Sequence, residues 1–179
     1  MPPCSYPVRG RKSSISIDDV PAQRTENGSA VAVTAAELEH ILETTAFTAS
    51  YGFRLGPFSR GSCSLLIPYN PLYQRPGGIV SGQVYMAAAD VTAWLAIKTV
   101  WGAADQSVTI EMTTSFLASL SQADFTCHSE IVKGGSSATF LVARCVSGDG
   151  RILTHHTMRY LRSAKRRGET EPPVRQPAI

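Results

Sequence analysis

One long apolar stretch limits what this chain can fold into more than any other feature. Between Ile79 and Ile97 the only ionisable side chain is Asp90, and apolar residues occur on every side of the helix that their spacing predicts. A helix that is hydrophobic all round must be enclosed on most sides, either by a bilayer or by a sheet. Gln83 and Asp90 would be costly in the middle of a membrane span, and the remaining sequence supplies strands. We therefore predict a buried central helix and no association with a membrane.

The sequence around this helix predicts an antiparallel sheet. One strand is predicted before the helix and four after it, at residues 62–69, 107–117, 124–132, 137–146 and 151–162. In the first strand after the helix, strict alternation puts Thr109 and Glu111 on one face and Ile110 and Met112 on the other. A sheet long enough to curl around one helix gives an α+β fold class. Its exposed edges predict pairing with a second copy of the chain.

The segments that precede the first predicted strand are short. Thr34 and Glu37 form a capping box, which predicts an amphipathic helix that ends near Thr48 and packs outside the core. The sequence from Phe53 to Phe58 is interrupted by glycine and proline, so we predict no strand there.

Composition divides the chain into one domain with two tails. Residues 1–33 and 163–179 mix Pro, Ser and charged residues without periodicity, which predicts disordered or loosely attached ends, and residues 34–162 are predicted to form the domain. The net charge of +3 comes largely from basic residues near the two ends. Such runs are typical of solvated termini, so we predict no binding to nucleic acid.

The cysteines indicate a reducing compartment. Cys4, Cys63, Cys127 and Cys145 lack the spacing of a metal site, and the last three fall in predicted strands. They are therefore interpreted as free thiols. The first residues lack the pattern of a secretory signal. These features predict a cytoplasmic protein with no metal and no cofactor.

A motif at the start of the central helix resembles a known family. The chain from Arg75 to Gln83 has the sequence RPGGIVSGQ and continues to Asp90 as VYMAAAD. This sequence resembles the turn and helix of hotdog-fold thioesterases in the PaaI-like acyl-CoA thioesterase family, and the resemblance covers about residues 35–162. The family's turn histidine is replaced here by Ser81, a form that resembles a sub-group with the pattern RPGGxVSG. The resemblance implies a hotdog fold that dimerises through its sheet.

The first residues of this helix are candidates for an oxyanion site. The backbone N–H groups of Gly82 and Gln83 are free at a helix N-terminus and lie at the positive end of the helix dipole. A thioester carbonyl bound there would develop its negative charge against ready-made donors, and Ser81 would bond the thioester in place of histidine. The alternative interpretation is a plain serine N-cap followed by a glycine that allows close packing.

Asp90 is the candidate catalytic acid. The resemblance implies that an acid at this position of the helix acts as general base or nucleophile. Asp90 lies nine residues beyond Ser81, which is ~13.5 Å along a helix axis, so the two can act on one carbonyl only from different subunits. The alternative is a buried aspartate bonded to backbone or hydroxyl groups. Because an unpaired buried carboxylate is costly, an incidental role is disfavoured.

The remaining candidates are weaker. Thr109 aligns with a position where related thioesterases orient the attacking water, although a β-branched residue in a strand needs no such role. Asn70 could contact the substrate carbonyl, but related enzymes place their polar residue closer to the turn, which favours a local Asx turn at Asn70. The other predicted substrate-binding residues are Gly78, Gln83, Met86 and Trp94.

Three functions follow from these candidates. The first is hydrolysis of an acyl-CoA thioester with a small to medium or aryl acyl group, by a protein that self-associates as a dimer or tetramer. The second is a non-catalytic hotdog module that binds acyl-CoA or another acyl ligand, which the missing histidine favours. The third is the hydratase branch of the fold, which ranks last because His40 is the only histidine before the helix.

Overall fold

The computed structural model describes residues 30–162. Its helices are α1 (Ala35–Thr44), α2 (Ala46–Tyr51) and α3 (Gly82–Trp101), with a short 3₁₀ turn at Pro71–Tyr73. Its strands are β1 (Arg54–Ser59), β2 (Ser62–Ile67), β3 (Gln74–Arg75), β4 (Ile79–Val80), β5 (Val108–Phe116), β6 (Phe125–Gly134), β7 (Ala138–Ser147) and β8 (Ile152–Leu161). This order confirms the predicted α+β class.

Six strands form one antiparallel sheet around α3. Their order is β1-β2-β6-β7-β8-β5, while β3 and β4 form a separate two-stranded ribbon just before α3. Along β6, β7 and β8, buried residues largely alternate with more exposed ones, as expected for a sheet with one face against a core. The sheet ends at β1 on one side and at β5 on the other.

The central helix is buried as predicted. Ala88, Ala89, Ala93 and Ala96 have no exposed surface, and such small side chains let the helix axis lie close to the sheet. The buried hydroxyl of Thr92 donates to the carbonyl of Ala88 at 2.6 Å, so it is satisfied within the helix. Among the described helices, none combines the length and hydropathy needed to cross a bilayer.

Strand β1 was not predicted, because Gly56 and Pro57 interrupt its sequence. The structure accommodates them at the sheet edge, where proline's missing N–H breaks no ladder bond. The pairing of β1 with β2 shifts register between Leu55 and Phe58, around these two residues. A Cβ at Gly56 would come within 3.2 Å of the Ser64 carbonyl oxygen, so the close approach of β2 favours glycine here.

The predicted capping box at the start of α1 is confirmed. The Thr34 N–H donates to Glu37 Oε2 at 2.8 Å, and the Glu37 N–H donates to Thr34 Oγ1 at 3.3 Å. The prediction that this helix packs outside the core was wrong, because Leu38 and Leu42 are buried in the same cluster as α3. Thr48 Oγ1 donates to the Leu42 carbonyl at 2.7 Å and ties α2 to the end of α1.

The ends of the chain are only partly described. At residues 30–33, the Ala32 N–H donates to the Thr99 carbonyl at 2.8 Å and Val33 is buried. The other residues of the predicted N-terminal arm, including Cys4, and the predicted tail at 163–179 lie outside the described residues.

The three described cysteines lie in strands, as predicted. Cys63, Cys127 and Cys145 are fully buried free thiols in β2, β6 and β7. Burial raises the pKa of Cys63 and of Cys145 well above the usual value for a thiol. Both therefore stay protonated and behave as small apolar core residues.

A histidine of β8 is buried beside β5. His156 has no exposed surface, and its ring nitrogens lie 2.9 Å from Thr114 Oγ1 and 2.7 Å from Thr154 Oγ1. Burial, with a smaller contribution from the charge of His155, lowers the pKa of His156 to about 4. The neutral ring has one donor and one acceptor nitrogen, so the two hydroxyls satisfy it without any charge.

This burial predicts a loss of stability in mild acid. Below pH 6.5 the unfolded chain binds a proton at His156, whereas the folded chain binds it only near pH 4. The free energy of unfolding therefore falls as the pH is lowered from 6.5 to 4, by about 3 kcal/mol for a pKa difference of this size. Urea unfolding at several pH values should show a shallower fall for His156→Gln, whose amide offers a donor and an acceptor but does not titrate. Parallel profiles for the two proteins would contradict this.

Candidate active site

A β-bulge at Ile110 decides which residues of β5 face the central helix. Thr109 pairs with Tyr160 and Glu111 pairs with Arg159, so Ile110 is an extra residue between two registered pairs. The Glu111 carboxylate lies 3.3 Å from the Arg159 guanidinium. Tyr160 is buried against the helix, whereas Arg159 is exposed on the other face. Thr109 therefore faces the helix and Glu111 faces away from it.

The predicted pairing of Thr109 with Glu111 on one face was wrong. Strict alternation assumes an uninterrupted strand, and one inserted residue shifts every later side chain to the opposite face. Thr109 instead shares the inner face with Met112, whose partner Met158 is buried.

Asp90 lies in the middle of α3 and is bonded through one of its carboxylate oxygens. Thr109 Oγ1 donates to Asp90 Oδ1 at 2.7 Å. The Tyr160 hydroxyl lies 2.6 Å from the same Oδ1 and 2.8 Å from the backbone carbonyl oxygen of Asp90, within donating distance of both. The second oxygen, Oδ2, has no hydrogen-bond partner among residues 30–162. Hydroxyl groups thus satisfy half of this carboxylate and leave the other half available.

Tyr160 is the functional candidate that the sequence did not reveal. Its side chain is almost completely buried. Burial, and next the adjacent negative charge of Asp90, raise the pKa of Tyr160 far above its usual value. The phenol therefore remains a hydrogen-bond donor at any physiological pH. Nothing in the sequence pairs this tyrosine with Asp90, because their contact depends on the strand order and on the bulge.

Asp90 lines a cavity of about 390 Å³. The wall comes from α2, α3, the start of β5 and the end of β8. Its other residues are Thr45, Phe47, Thr48, Val91, Trp94, Ser107, Val108, Thr109 and Tyr160. Trp94 was predicted as a substrate-binding residue, whereas Phe47 was not, because α2 could not be placed beside α3 from the sequence.

The N-terminus of α3 lies away from this cavity. Ser81 occupies the N-cap position, but its side chain makes no capping hydrogen bond and its hydroxyl instead donates to Gln83 Oε1. Within the described residues, the N–H groups of Gly82 and Gln83 have no acceptor. The ring of Phe116 lies over Gly82, where an added Cβ would be 3.0 Å from it. The first turn of α3 is therefore a pair of open donors beside the far end of β5.

The other predicted residues have local roles in the structure. Asn70 Oδ1 accepts from the Leu72 N–H at 2.9 Å, which is the Asx turn of the alternative interpretation. Gly78, with Gly77, has a positive φ and closes the turn between β3 and β4. Met86 is partly exposed and does not line the cavity. No group of side chains in residues 30–162 has the arrangement of a metal site.

Lys98 supports the cavity from the end of α3. Its ammonium donates to the carbonyls of Ala103 and Asp105, both at 2.8 Å, and lies 4.5 Å from the centre of the Trp94 ring. Burial lowers the pKa of Lys98, and the charge of Asp105 opposes this shift. Asp105 Oδ1 in turn accepts from the Ser107 N–H at 2.9 Å. The loop that leads into β5 is thereby fixed to the helix.

Comparison with known proteins shows what the chain is similar to. Residues 77–154 match the family model described as the thioesterase superfamily. Over these residues the chain is similar to the thioesterase superfamily. A candidate esterase of Saccharolobus solfataricus is 32% identical over 93 residues, which cover 52% of this chain and 66% of that relative. The match thus spans slightly less than two thirds of the relative's length.

Solved structures give the fold. The PaaI protein of the Escherichia coli phenylacetic acid degradation operon is similar with a TM-score of 0.66 and 12% identity, over 72% of this chain and 92% of that chain. A hypothetical thioesterase of Streptococcus pneumoniae, solved with coenzyme A, has a TM-score of 0.59 and 14% identity, over 64% of this chain and 90% of that chain. At these identities the similarity establishes the hotdog fold alone.

The support from Lys98 predicts a loss of stability on its replacement. Lys98→Met keeps the apolar stem but removes two charge-assisted hydrogen bonds, which should destabilise the hotdog domain by about 1–3 kcal/mol in urea unfolding. Lys133→Met is the matched control, since Lys133 is exposed and such surface changes stay within about 0.5 kcal/mol. Equal destabilisation by the two variants would contradict a supporting role for Lys98.

Proposed function

We propose that this protein is a PaaI-like acyl-CoA thioesterase in which Asp90 is the catalytic carboxylate. The observation that carries the proposal is the environment of Asp90. One oxygen is held by two hydroxyl donors, the other is unpartnered in the described chain, and the group lines a cavity large enough for an acyl chain. The match of residues 77–154 to the thioesterase superfamily supports the reaction class.

Two forms of the chemistry fit this carboxylate. As general base, Asp90 Oδ2 takes a proton from a water that attacks the thioester carbonyl, and the CoA thiolate then leaves. As nucleophile, Oδ2 attacks the carbonyl itself, the thiolate leaves, and water hydrolyses the resulting mixed anhydride. In the first form, Thr109 can orient the water, because its hydroxyl donates to Asp90 and keeps lone pairs that accept from water.

The oxyanion donors come from the partner subunit in this proposal. Gly82 and Asp90 are eight residues apart on one rigid helix, which is ~12 Å along the axis. Within one chain, Gly82 lies at the Phe116 end of β5, whereas Asp90 lies at the Thr109 end. Two β5 strands paired antiparallel about their middle bring opposite ends together. The Gly82 turn of one copy would then lie beside Asp90 of the other.

The two edges of the sheet differ in their suitability for such pairing. Strand β1 carries Pro57 and a register shift, features that discourage edge-to-edge pairing. Strand β5 is nine residues long, contains no proline, and exposes Val108, Ile110 and Phe116. A long edge with exposed apolar side chains is a template for another strand, which supports self-association through β5 as a dimer, or as a tetramer of such dimers.

The cavity supports a small to medium or aryl acyl group. Trp94, Phe47, Val91 and Val108 give it largely apolar walls, which suit a hydrocarbon or aromatic tail. The coenzyme A in the pneumococcal neighbour supports a CoA ester as the form of the substrate. Residues 34–162 are proposed as the functional hotdog domain, and the buried free thiols support a cytoplasmic location.

A non-catalytic acyl-ligand binding module is the second candidate. The observation that favours it is Ser81, which replaces the family's turn histidine and whose hydroxyl donates to Gln83 Oε1. The open N–H groups of Gly82 and Gln83 do not depend on that side chain, so the proposed oxyanion site survives the replacement. Turnover separates the two candidates, since both would bind acyl-CoA.

Asp90→Asn tests the catalytic assignment. The amide is nearly isosteric but cannot act as base or nucleophile, so hydrolysis of acyl-CoA esters should fall by at least 100-fold. Thiol release is measured with short, medium, branched and aryl acyl-CoA for wild type and variant. Wild-type turnover that the variant retains would refute the role of Asp90. Absence of release from every ester by folded wild-type protein would favour the binding module.

A matched pair of bulge variants tests the β5 interface. Ile110 and Val132 are exposed extra residues at bulges, one on the free edge strand β5 and the other on the interior strand β6. Ile110→Lys places a charge on the proposed interface and should weaken the dimer at least tenfold in sedimentation or light-scattering measurements. Val132→Lys should leave the dimer intact. Unchanged association of Ile110→Lys would exclude this edge as the interface.

A further inference from the structure

We propose that Tyr160 is a positioning residue that holds the Asp90 carboxylate with Oδ2 directed to the substrate. The inference rests on the proposed thioesterase function. It assigns Tyr160 no contact with the substrate, and its action on the reaction passes through Asp90.

The geometry of the contact restricts the Asp90 side chain. The phenol oxygen lies 2.6 Å from Oδ1 and 2.8 Å from the backbone carbonyl oxygen of the same residue. One hydroxyl therefore spans the side chain and the main chain of Asp90, and rotation of the side chain would break the first of these contacts. The hydroxyl of Thr109 reaches Oδ1 as well. With two donors on Oδ1, the oxygen that remains free is Oδ2.

Tyr160 is held more firmly than Thr109. In β8 it is registered with Thr139 of β7 on one side and with Thr109 of β5 on the other. Its ring is almost wholly buried, and Thr139 has no exposed surface. Thr109 belongs to the edge strand, is exposed, and lies beside the bulge at Ile110. The buried tyrosine is thus the fixed point from which the carboxylate is oriented.

The ionisable groups around this contact are few. Among the residues that line the cavity, Asp90 and Tyr160 are the two ionisable side chains, and β5 contributes hydroxyl and apolar groups there. Burial and the charge of Asp90 raise the pKa of Tyr160, so its proton stays on the phenol across the working range. A hydrogen bond donated to a carboxylate favours the ionised form, which is the form that both versions of the chemistry require.

A purely structural role for Tyr160 makes a different prediction. Its ring fills core volume, and removal of the hydroxyl alone leaves that volume in place. Tyr85 provides the matched control, since it is also a buried tyrosine, on α3, and its hydroxyl has no partner among the described residues. Loss of either hydroxyl removes one oxygen atom from the core, but only Tyr160 contacts Asp90.

The test compares Tyr160→Phe with Tyr85→Phe. Tyr160→Phe should lower kcat by 10- to 100-fold with KM within about twofold, and should move the acid limb of the kcat–pH profile to higher pH. Tyr85→Phe should change neither. In the Asp90→Asn background, Tyr160→Phe should cause no further loss, because the two residues act as a unit. A folded Tyr160→Phe protein with wild-type kcat and pH profile would overturn the proposal.

Two further measurements keep the test independent of folding and of turnover. If Tyr160→Phe does not fold, 3-fluorotyrosine at position 160 keeps the ring and gives a stronger hydrogen-bond donor. The acid limb of the kcat–pH profile should then move to lower pH, and an unmoved limb would overturn the proposal.

If wild-type protein hydrolyses no thioester, the proposed function fails. The positioning role is then tested by NMR titration of the ¹³C-labelled Asp90 carboxyl, whose midpoint should rise in Tyr160→Phe and be unchanged in Tyr85→Phe. Equal midpoints in all three proteins would overturn it.

Discussion

The structure depends on the enclosure of one helix that is apolar on every side. Because α3 cannot face water on any long stretch, the sheet must curl around it, and the alanines at its centre let the two approach closely. The same enclosure limits the hydrogen-bond partners of Asp90, the single acidic residue of α3. A carboxylate on such a helix needs donors from the surrounding sheet, and β5 and β8 supply them through Thr109 and Tyr160.

The position of Asp90 in the enclosure explains why it is only half satisfied. Tyr160 reaches it from the buried side, where β7 and β8 cover the helix. On the other side the sheet ends at β5. There the cavity that Asp90 lines lies between α2 and α3. A carboxylate at this boundary has fixed donors on one oxygen and open space near the other. The partial satisfaction that would be costly in a closed core is here a property of the sheet edge.

Much of the fold could be predicted because it follows from periodicity. The apolar stretch, the alternating strands and the Thr34–Glu37 capping box are local patterns, and each appears in the structure where the sequence indicates it. The predictions that were wrong also have local causes. Gly56 and Pro57 led to the prediction of no strand at β1, but an edge strand tolerates proline and a register shift that an interior strand does not. Leu38 and Leu42 of α1 lie in the core because α1 packs against α2 and β1.

The site was less predictable than the fold, for a reason that one residue illustrates. Asp90 stood out because a single acid in an apolar helix is conspicuous, whereas its partners depend on Ile110, which has no sequence signature as a bulge. Without that extra residue Thr109 would face away from the helix, and the carboxylate would lack its donor from β5. A bulge at a free sheet edge also leaves the backbone beside it unpaired. The irregularity that completes the Asp90 site therefore lies on the strand edge where a second subunit would add its own turn.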